Sequence, residues 1–449
     1  MKKRMILTLC GATALSLAAC GGKTADTTTA APAAETTAAA AGETLTGSAE
    51  GFGGEVTVTL TSADGKITDC KISGDKETAD IGIKAFAELE KQVVAAGGPE
   101  IDGVSGATVT SNAVKKAVAS AMGVEAAEEE IKATLIETAA PAALVQIDGG
   151  IQLGQVYAAA HGTSCFTEAV AAVQDDVIIA AYIDEFQFLD KGADIVGVPN
   201  SDADFGAGYV EGKVLASKRD NAAYYSKMMT EKGGATVTID ANYDAIQSFV
   251  VGKTIAEVEA AAGKSDVIDA VSGATLTDTA GYLTAIVDAA KAAKDTQAVE
   301  FAGDSSALKL NVAYAAAHGT KCFTTAAALT DGENVLLSYI DDFQFISSDA
   351  AVTGVPNSTE KFGENVAEGN VLCSKRVNTE YYSKNMAEKG GSTIAIDKNF
   401  DAIQNHIDGM SIADVTALAG EASPVDAISG ATLVDAAGYL NAVLDAAKN

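Results

Sequence analysis

The chain has 449 residues, 48% of them apolar, with 43 glycines, six prolines and no tryptophan. That is too long for one compact core and corresponds to roughly three domains of ~150 residues, while the composition excludes general disorder. The formal charge of −30 excludes nucleic acid and anionic membrane surfaces as partners and reads first as a well-solvated acidic surface.

Residues 1–19 begin with Lys2, Lys3 and Arg4, continue through an apolar run from Met5 to Leu17 and end in small residues. This is the layout of an export signal, and the run is too short for a good membrane span. Leu17-Ala18-Ala19-Cys20-Gly21 resembles a bacterial lipobox. The resemblance implies that the Cys20 sulfur is acylated and the leader removed before it; the alternative is a secreted protein cut after Ala19. A lipidated Cys20 would hold the protein at the extracytoplasmic face of the bacterial cell membrane without a spanning helix. Residues 20–46 are dominated by Ala and Thr and read as that cysteine plus a flexible tether.

A small domain is expected over 47–123. Residues 55–61 alternate as a strand, Ala63-Asp64-Gly65-Lys66 supplies a turn, and 67–72 returns. Helical spacing follows over 83–94 and 112–122, on either side of a glycine-containing loop at 102–108. After a linker at 124–143 the rest of the chain is a duplication at a constant offset of 157 residues. Tyr157-Ala-Ala-Ala-His161 matches Tyr314-Ala-Ala-Ala-His318, and Gly197-Val-Pro-Asn-Ser201 matches Gly354-Val-Pro-Asn-Ser358. The copies span 144–294 and 308–449, joined by a linker at 295–307; units this long are tandem domains, not a solenoid. In the first, a hairpin (166–173 and 177–188) precedes an expected strand at 235–240, helices around 243–249 and 255–262, a glycine loop and a closing helix. Strands and helices lack regular βαβ alternation, so the fold class is α+β.

Each of the three units closes on one pattern: Asp102-Gly-Val-Ser105-Gly106-Ala107-Thr108, Asp269-Ala-Val-Ser272-Gly273-Ala274-Thr275 and Asp426-Ala-Ile-Ser429-Gly430-Ala431-Thr432. A threonine hydroxyl can form a phosphoester, Gly and Ala leave room beside it, and a following helix N-terminus would favour phosphate. The three aspartates could order the loop, present the acceptor or simply form Asx turns. Thr110 and Thr277 follow the first two motifs, but Val434 stands at the third, so this second hydroxyl is not a shared acceptor.

This loop resembles the flavinylation motif of FMN-binding domains, as in the C subunit of the sodium-pumping quinone oxidoreductase and in flavin-bearing lipoproteins of extracellular electron transfer. The resemblance implies three FMN-binding-type domains, each a hairpin-containing sheet with packed helices. It also implies up to three covalent FMN groups on Thr108, Thr275 and Thr432, attached by a flavin transferase that uses FAD and magnesium. The chain would then relay electrons from a membrane donor to an external acceptor, a carrier more than a self-sufficient enzyme. It has no dinucleotide-binding glycine loop. The alternatives are a solute- or peptide-binding surface lipoprotein and a flavin-bearing subunit of an extracellular reductase.

Four further features invite a role. His161 and His318 could tune a flavin, against a structural reading. Phe186-Gln187-Phe188 and its copy Phe343-Gln344-Phe345 alternate as core aromatics do. Lys218-Arg219 and Lys375-Arg376 are expected on the surface. Cys70, Cys165, Cys322 and Cys373 permit disulfides but have no diagnostic disulfide or metal spacing, and Cys165 and Cys322, at equivalent repeat positions, read as small apolar packing residues.

Overall fold

The computed structural model describes residues 43–77, 82–104, 107–124, 136–192, 194–264 and 267–448. The leader, Cys20, Ser105, Gly106 and the Asp269 side chain lie outside the described residues.

The small domain is an antiparallel sheet of β1 (Glu43–Glu50), β2 (Glu55–Ala63) and β3 (Lys66–Ser73). Strand β1 thus takes in the last four residues read as tether. Asp64 and Gly65 both have positive φ (53° and 75°), the conformation that a two-residue hairpin turn demands. Alternate residues Val56, Val58 and Leu60 turn inward and meet α1 (Lys84–Ala96) and α2 (Thr108–Met122) through Leu89, Val93, Val114 and Val118.

The first repeat contains β4 (Gln146–Ala158), β5 (Cys165–Gln174), β6 (Val177–Asp190) and β7 (Lys213–Ser217). Helices α3 (Ala222–Gly233), α4 (Ile239–Val250), α5 (Ile255–Ala262), α6 (Val267–Ala270) and α7 (Thr279–Ala293) follow. Strand β8 (Val299–Asp304), inside the segment read as a linker, pairs with β4 and completes the sheet order β7-β6-β5-β4-β8. The second repeat has β9 (Lys309–Ala315), β10 (Cys322–Thr330), β11 (Asn334–Ser347) and β12 (Asn370–Ser374). Its remaining elements are α8 (Thr379–Gly390), α9 (Ile396–Ile407), the two-residue β13 (Met410–Ser411), α10 (Ile412–Ala419) and α11 (Ala436–Lys448). The class is α+β.

The strand expected over 235–240 does not form. Val237 makes a single parallel bridge to Ile136, and α4 begins at Ile239. Thr238 caps that helix, its side chain accepting from Ala241 N–H, and Ile239, Tyr243, Ile246 and Val250 follow at helical spacing into the core. The cap and the 3.6-residue period outweigh a short apolar run.

Alternation along β5 explains how the repeats pack. Ala169, Ala171 and Val173 face the repeat's own helices, whereas Val170 and Ala172 face Val312, Ala327, Leu329 and Leu337 of the other repeat. Both faces of the central strands are therefore buried, and the layers run helix, sheet, sheet, helix. A second shared cluster joins Phe166, Phe186 and Phe188 to Phe323, Phe343 and Phe362, so the alternating aromatics are inter-repeat core.

The duplicated Gly-Val-Pro-Asn-Ser segments act as clasps. Asn200, at φ 65°, donates through Nδ2 to the Gly319 and Cys322 carbonyls, and Asn357 does the same to Gly162 and Cys165. Each repeat thus holds the turn before the other's second strand.

A close helix approach relates the small domain to the first repeat. A Cβ on Gly47 of β1 would collide with the Ala117 carbonyl and Ala121 nitrogen of α2, and one on Gly154 of β4 with the Ala289 carbonyl and Ala293 nitrogen of α7. In both units the helix after the Ser-Gly-Ala-Thr loop lies on the strand that opens the sheet. No helix among the described residues is long and apolar enough to cross a membrane.

Candidate functional site

In the small domain the loop before Thr108 is clamped by α1. Gln92 Oε1 accepts from Gly103 N–H (2.9 Å) and its Nε2 donates to the Gly103 carbonyl (3.0 Å). Val104 N–H donates to Ser111 Oγ (3.0 Å). Thr108 is the first residue of α2 and is half-buried. Two residues on, Thr110 is 2% exposed and donates to Glu77 Oε2 (2.6 Å), whose other oxygen accepts from Gly53 N–H. Thr108 and Thr110 are thereby distinct: one is half-buried at a helix start, the other closes a buried bond. Asp102 is exposed.

The repeats hold their motif threonines differently. Thr275 N–H donates to Asn242 Oδ1 (2.6 Å), and its hydroxyl points to the same oxygen (3.3 Å). Thr432 repeats this on Asn399 (2.6 and 3.1 Å). Both asparagines are fully buried and are fixed in turn by donating to two carbonyls, Val237 and Thr238 or Ile394 and Ala395. Gly273 and Gly430 have φ of 92° and 89°, which a side chain resists. A Cβ there would meet only Ala245 or Ala402 at 3.5 Å. The glycine is required for backbone conformation, not for room as its sequence context suggested. Ala274 is buried, Ala431 half-buried, and Ser272, Ser429, Asp426, Thr275 and Thr432 are exposed.

One expectation needs correction. The closing helices begin at Thr279 and Ala436, four residues beyond the motif threonines. The helix N-terminus therefore sits directly at the motif threonine only for Thr108; in the repeats the threonine N–H is already bound to asparagine.

The histidines do meet the motif loops. His161 Nδ1 lies 2.6 Å from Asp278 Oδ2, and His318 Nδ1 lies 2.7 Å from Asp435 Oδ2; each aspartate follows its motif threonine by three residues. The His161 ring stacks parallel to Tyr282, whose hydroxyl donates to Glu185 Oε2 (2.9 Å). Tyr243 donates to the same oxygen (3.1 Å), and Lys218 Nζ stands 2.5 Å from it.

Lys218 and Lys375 are not surface residues, being 4% and 3% exposed. Lys218 pairs with Glu185 and Lys375 with Asp342 (2.8 Å), because a charge can be buried only with a partner. Burial disfavours charge on both members of the first pair, yet the Lys218 ammonium, aided by His161, holds Glu185 below its ordinary range, and Glu185 holds Lys218 above its own. Arg219 and Arg376 are likewise engaged, with Asp244 and Gln247 and with Asp401 and Gln404. These four cations are committed to the protein interior. The four cysteines are unpaired and buried, and burial pushes the Cys165 and Cys322 thiols up to about 12.

Residues 51–123 match the family model of the FMN-binding domain. This segment is an FMN-binding domain. The match covers the β2–β3 hairpin, both helices and the Thr108 loop, and it points to flavin binding by this segment. Around that FMN-binding domain, the residues that sequence reading missed are Gln92, Ser111 and Glu77; in the repeats they are Asn242, Asn399, Asp278 and Asp435. The last four sit at the 157-residue offset in both copies, which is the signal that could have marked them.

Proposed function

We propose that this chain is a lipid-anchored, extracytoplasmic electron carrier with up to three FMN groups joined by phosphoester bonds to Thr108, Thr275 and Thr432. The carrying observation is that a motif closing an FMN-binding domain recurs twice, with both recurrent threonines exposed on glycine-turned loops and held on equivalent buried asparagines. An exposed hydroxyl suits modification by a separate enzyme. A transferase using FAD and magnesium would join the threonine Oγ1 to the FMN phosphorus, break the pyrophosphate bond, release AMP and take up the hydroxyl proton. Bound FMN supplies one- and two-electron redox chemistry. The protein's part is to orient each attachment point. Asn242 and Asn399 fix the threonine backbone and direct its hydroxyl hydrogen inward, leaving oxygen lone pairs outward. The His161–Asp278 and His318–Asp435 pairs tie each loop to its sheet. Cys20 would supply the anchor, a membrane protein the electrons, and an external acceptor would receive them.

Intact mass after co-expression with a flavin transferase tests this. Three additions of one FMN less water are expected, one lost with each of Thr108→Ala, Thr275→Ala and Thr432→Ala, and none lost with Thr110→Ala. An unmodified mass beside an active transferase refutes the reading.

A cleft of about 660 Å³ between the segment before the first repeat and its helices α3 and α4, lined in part by Glu137, Thr138, Ser226, Lys227, Thr230 and Asp240, is of a size that holds small molecules. It favours solute binding as the second reading, for which a solute released on unfolding is the expected observation.

A further inference from the structure

The three attachment points are not equivalent in space. Thr275 rests on Asn242, whose side-chain amide is bonded to the turn between α3 and α4 at Val237 and Thr238. The same turn touches the FMN-binding domain. Gly234, at φ 64°, packs on the first turn of α2: a Cβ there would stand 3.5 Å from Thr108 Cβ and 3.1 Å from Val109 Cγ2. Ile136, which follows the FMN-binding domain, is stitched to this turn as well, its N–H donating to Thr236 and its carbonyl accepting from Thr238 N–H. In the second repeat the equivalent Gly391 has open space around its Cβ position. There Thr432 faces Ser392 Oγ of its own turn at 3.4 Å.

The layer order separates the second repeat's site further. Asn242 belongs to α4, outside the first sheet, and Asn399 to α9, outside the second. Three layer spacings of ~10 Å set these helix layers roughly 30 Å apart. Thr108 and Thr275 instead flank one five-residue turn, whose fully extended reach is roughly 17 Å.

We propose that Thr108 and Thr275 form a paired flavin-attachment site across the Gly234–Thr238 turn, with Thr432 a lone site on the opposite outer layer. The pairing rests on the reading of these threonines as flavin acceptors for its purpose, but not for its geometry. Two cofactors held across one turn can exchange electrons directly, each electron lost by one being gained by the other. The third, beyond two sheets, would instead meet a partner on the far side. The carrier is thus two-sided. Thr108 also begins a fifteen-residue helix, whose N-terminal dipole offsets the charge of two neighbouring phosphodiesters.

The test measures geometry and cofactors separately. Spin labels are placed pairwise at Thr108→Cys, Thr275→Cys and Thr432→Cys in the full chain, with Cys10 and Cys20 replaced by Ser so that the remaining native thiols are the buried ones. Dipolar spectroscopy should find the 108–275 distance shorter than both 275–432 and 108–432; a 108–275 distance equal to or longer than 275–432 overturns the pairing. In loaded protein, visible circular dichroism of the Thr432→Ala variant should depart from the sum of its singly loaded spectra, while that of Thr108→Ala should be additive. Additivity in both, with full occupancy by mass, also overturns it. Absence of any flavin mass would refute the proposed function and leave the label distances to decide the pairing.

Discussion

Asn242 and Asn399 each make four hydrogen-bonding contacts with one side-chain amide: two accepted from a motif threonine and two donated to the turn that precedes their helix. Removing the amide at Asn242→Ala frees the Thr275 N–H and lets its hydroxyl rotate. A hydrogen bond of this kind contributes about 0.5–1.5 kcal/mol, so flavin loading at Thr275 should slow by roughly 2–10-fold. Loading at Thr108 and Thr432 in the same molecule should be unchanged, which controls for folding. Peptide mass spectrometry over a time course resolves the three sites. Equal loading at Thr275 and Thr432 would show that the asparagine serves the loop alone. The motif threonines were legible because a seven-residue pattern occurs three times. Their asparagine partners were not, because they lie 33 residues upstream and only the chain's path into α4 and α9 brings them under the loop. Lys218 and Lys375 were misplaced for a related reason: a Lys-Arg pair looks like surface until Glu185 and Asp342, 33 residues earlier on the neighbouring strand, are known to lie beside it.

The close approach of a helix to an opening strand depends on one atom at the element scale. Gly154 lets α7 settle against β4, and any side chain there would meet backbone of Ala289 and Ala293, which no rotamer change can relieve. Gly154→Ala is therefore expected to destabilise the protein by about 1–3 kcal/mol, the range for overpacking a close-packed contact. Replacement at Gly212, whose φ is 81° but whose Cβ position is open, should cost only the backbone strain of about 1–2 kcal/mol. Denaturant midpoints of the two variants, with equal slopes, check the order. A smaller loss for Gly154→Ala than for Gly212→Ala would show that α7 shifts freely. Most elements were legible here, since alternation marked β2, turn residues and likeness to that first hairpin marked β3, β5 and β6, and helical spacing marked α1, α4 and α5. What periodicity could not separate was a short strand from a helix start at 235–240, or a linker from the edge strand β8.

The two repeats share one interior at the scale of the whole molecule, and its polar centre titrates. Tyr157 donates to Asp341 (2.9 Å) and Tyr314 to Asp184 (2.8 Å), a reciprocal exchange across the inter-repeat face. Glu168 breaks the symmetry, since the equivalent position is Thr325, and the two meet: Thr325 Oγ1 donates to Glu168 Oε1 (2.6 Å), as does Gln155 Nε2, while Tyr314 approaches Oε2 (3.2 Å). Burial pushes Glu168 up to about 8 from the ordinary 4.5; the Thr325 and Tyr314 bonds oppose this, and Asp184 and Asp341 add to it. The native state then holds a proton that the unfolded chain releases near pH 4.5. Stability from this group is fully present below that pH and is lost as pH rises through about 8. Glu168→Gln keeps an oxygen for Thr325 and Gln155 and offers an amide N–H to the Tyr314 oxygen, but it cannot ionise. At pH 5 the variant should melt close to the parent. At pH 9 it should melt higher, by about 2–4 °C for each kcal/mol of charge burial removed. Calorimetry at both pH values measures the difference, and a gap that does not widen with pH would mean that Glu168 is already ionised when folded. Because Glu168 reaches Thr325 and Tyr314 of the second repeat, the gain should appear in one transition spanning both repeats. Two repeats with separate cores would show it in the first alone.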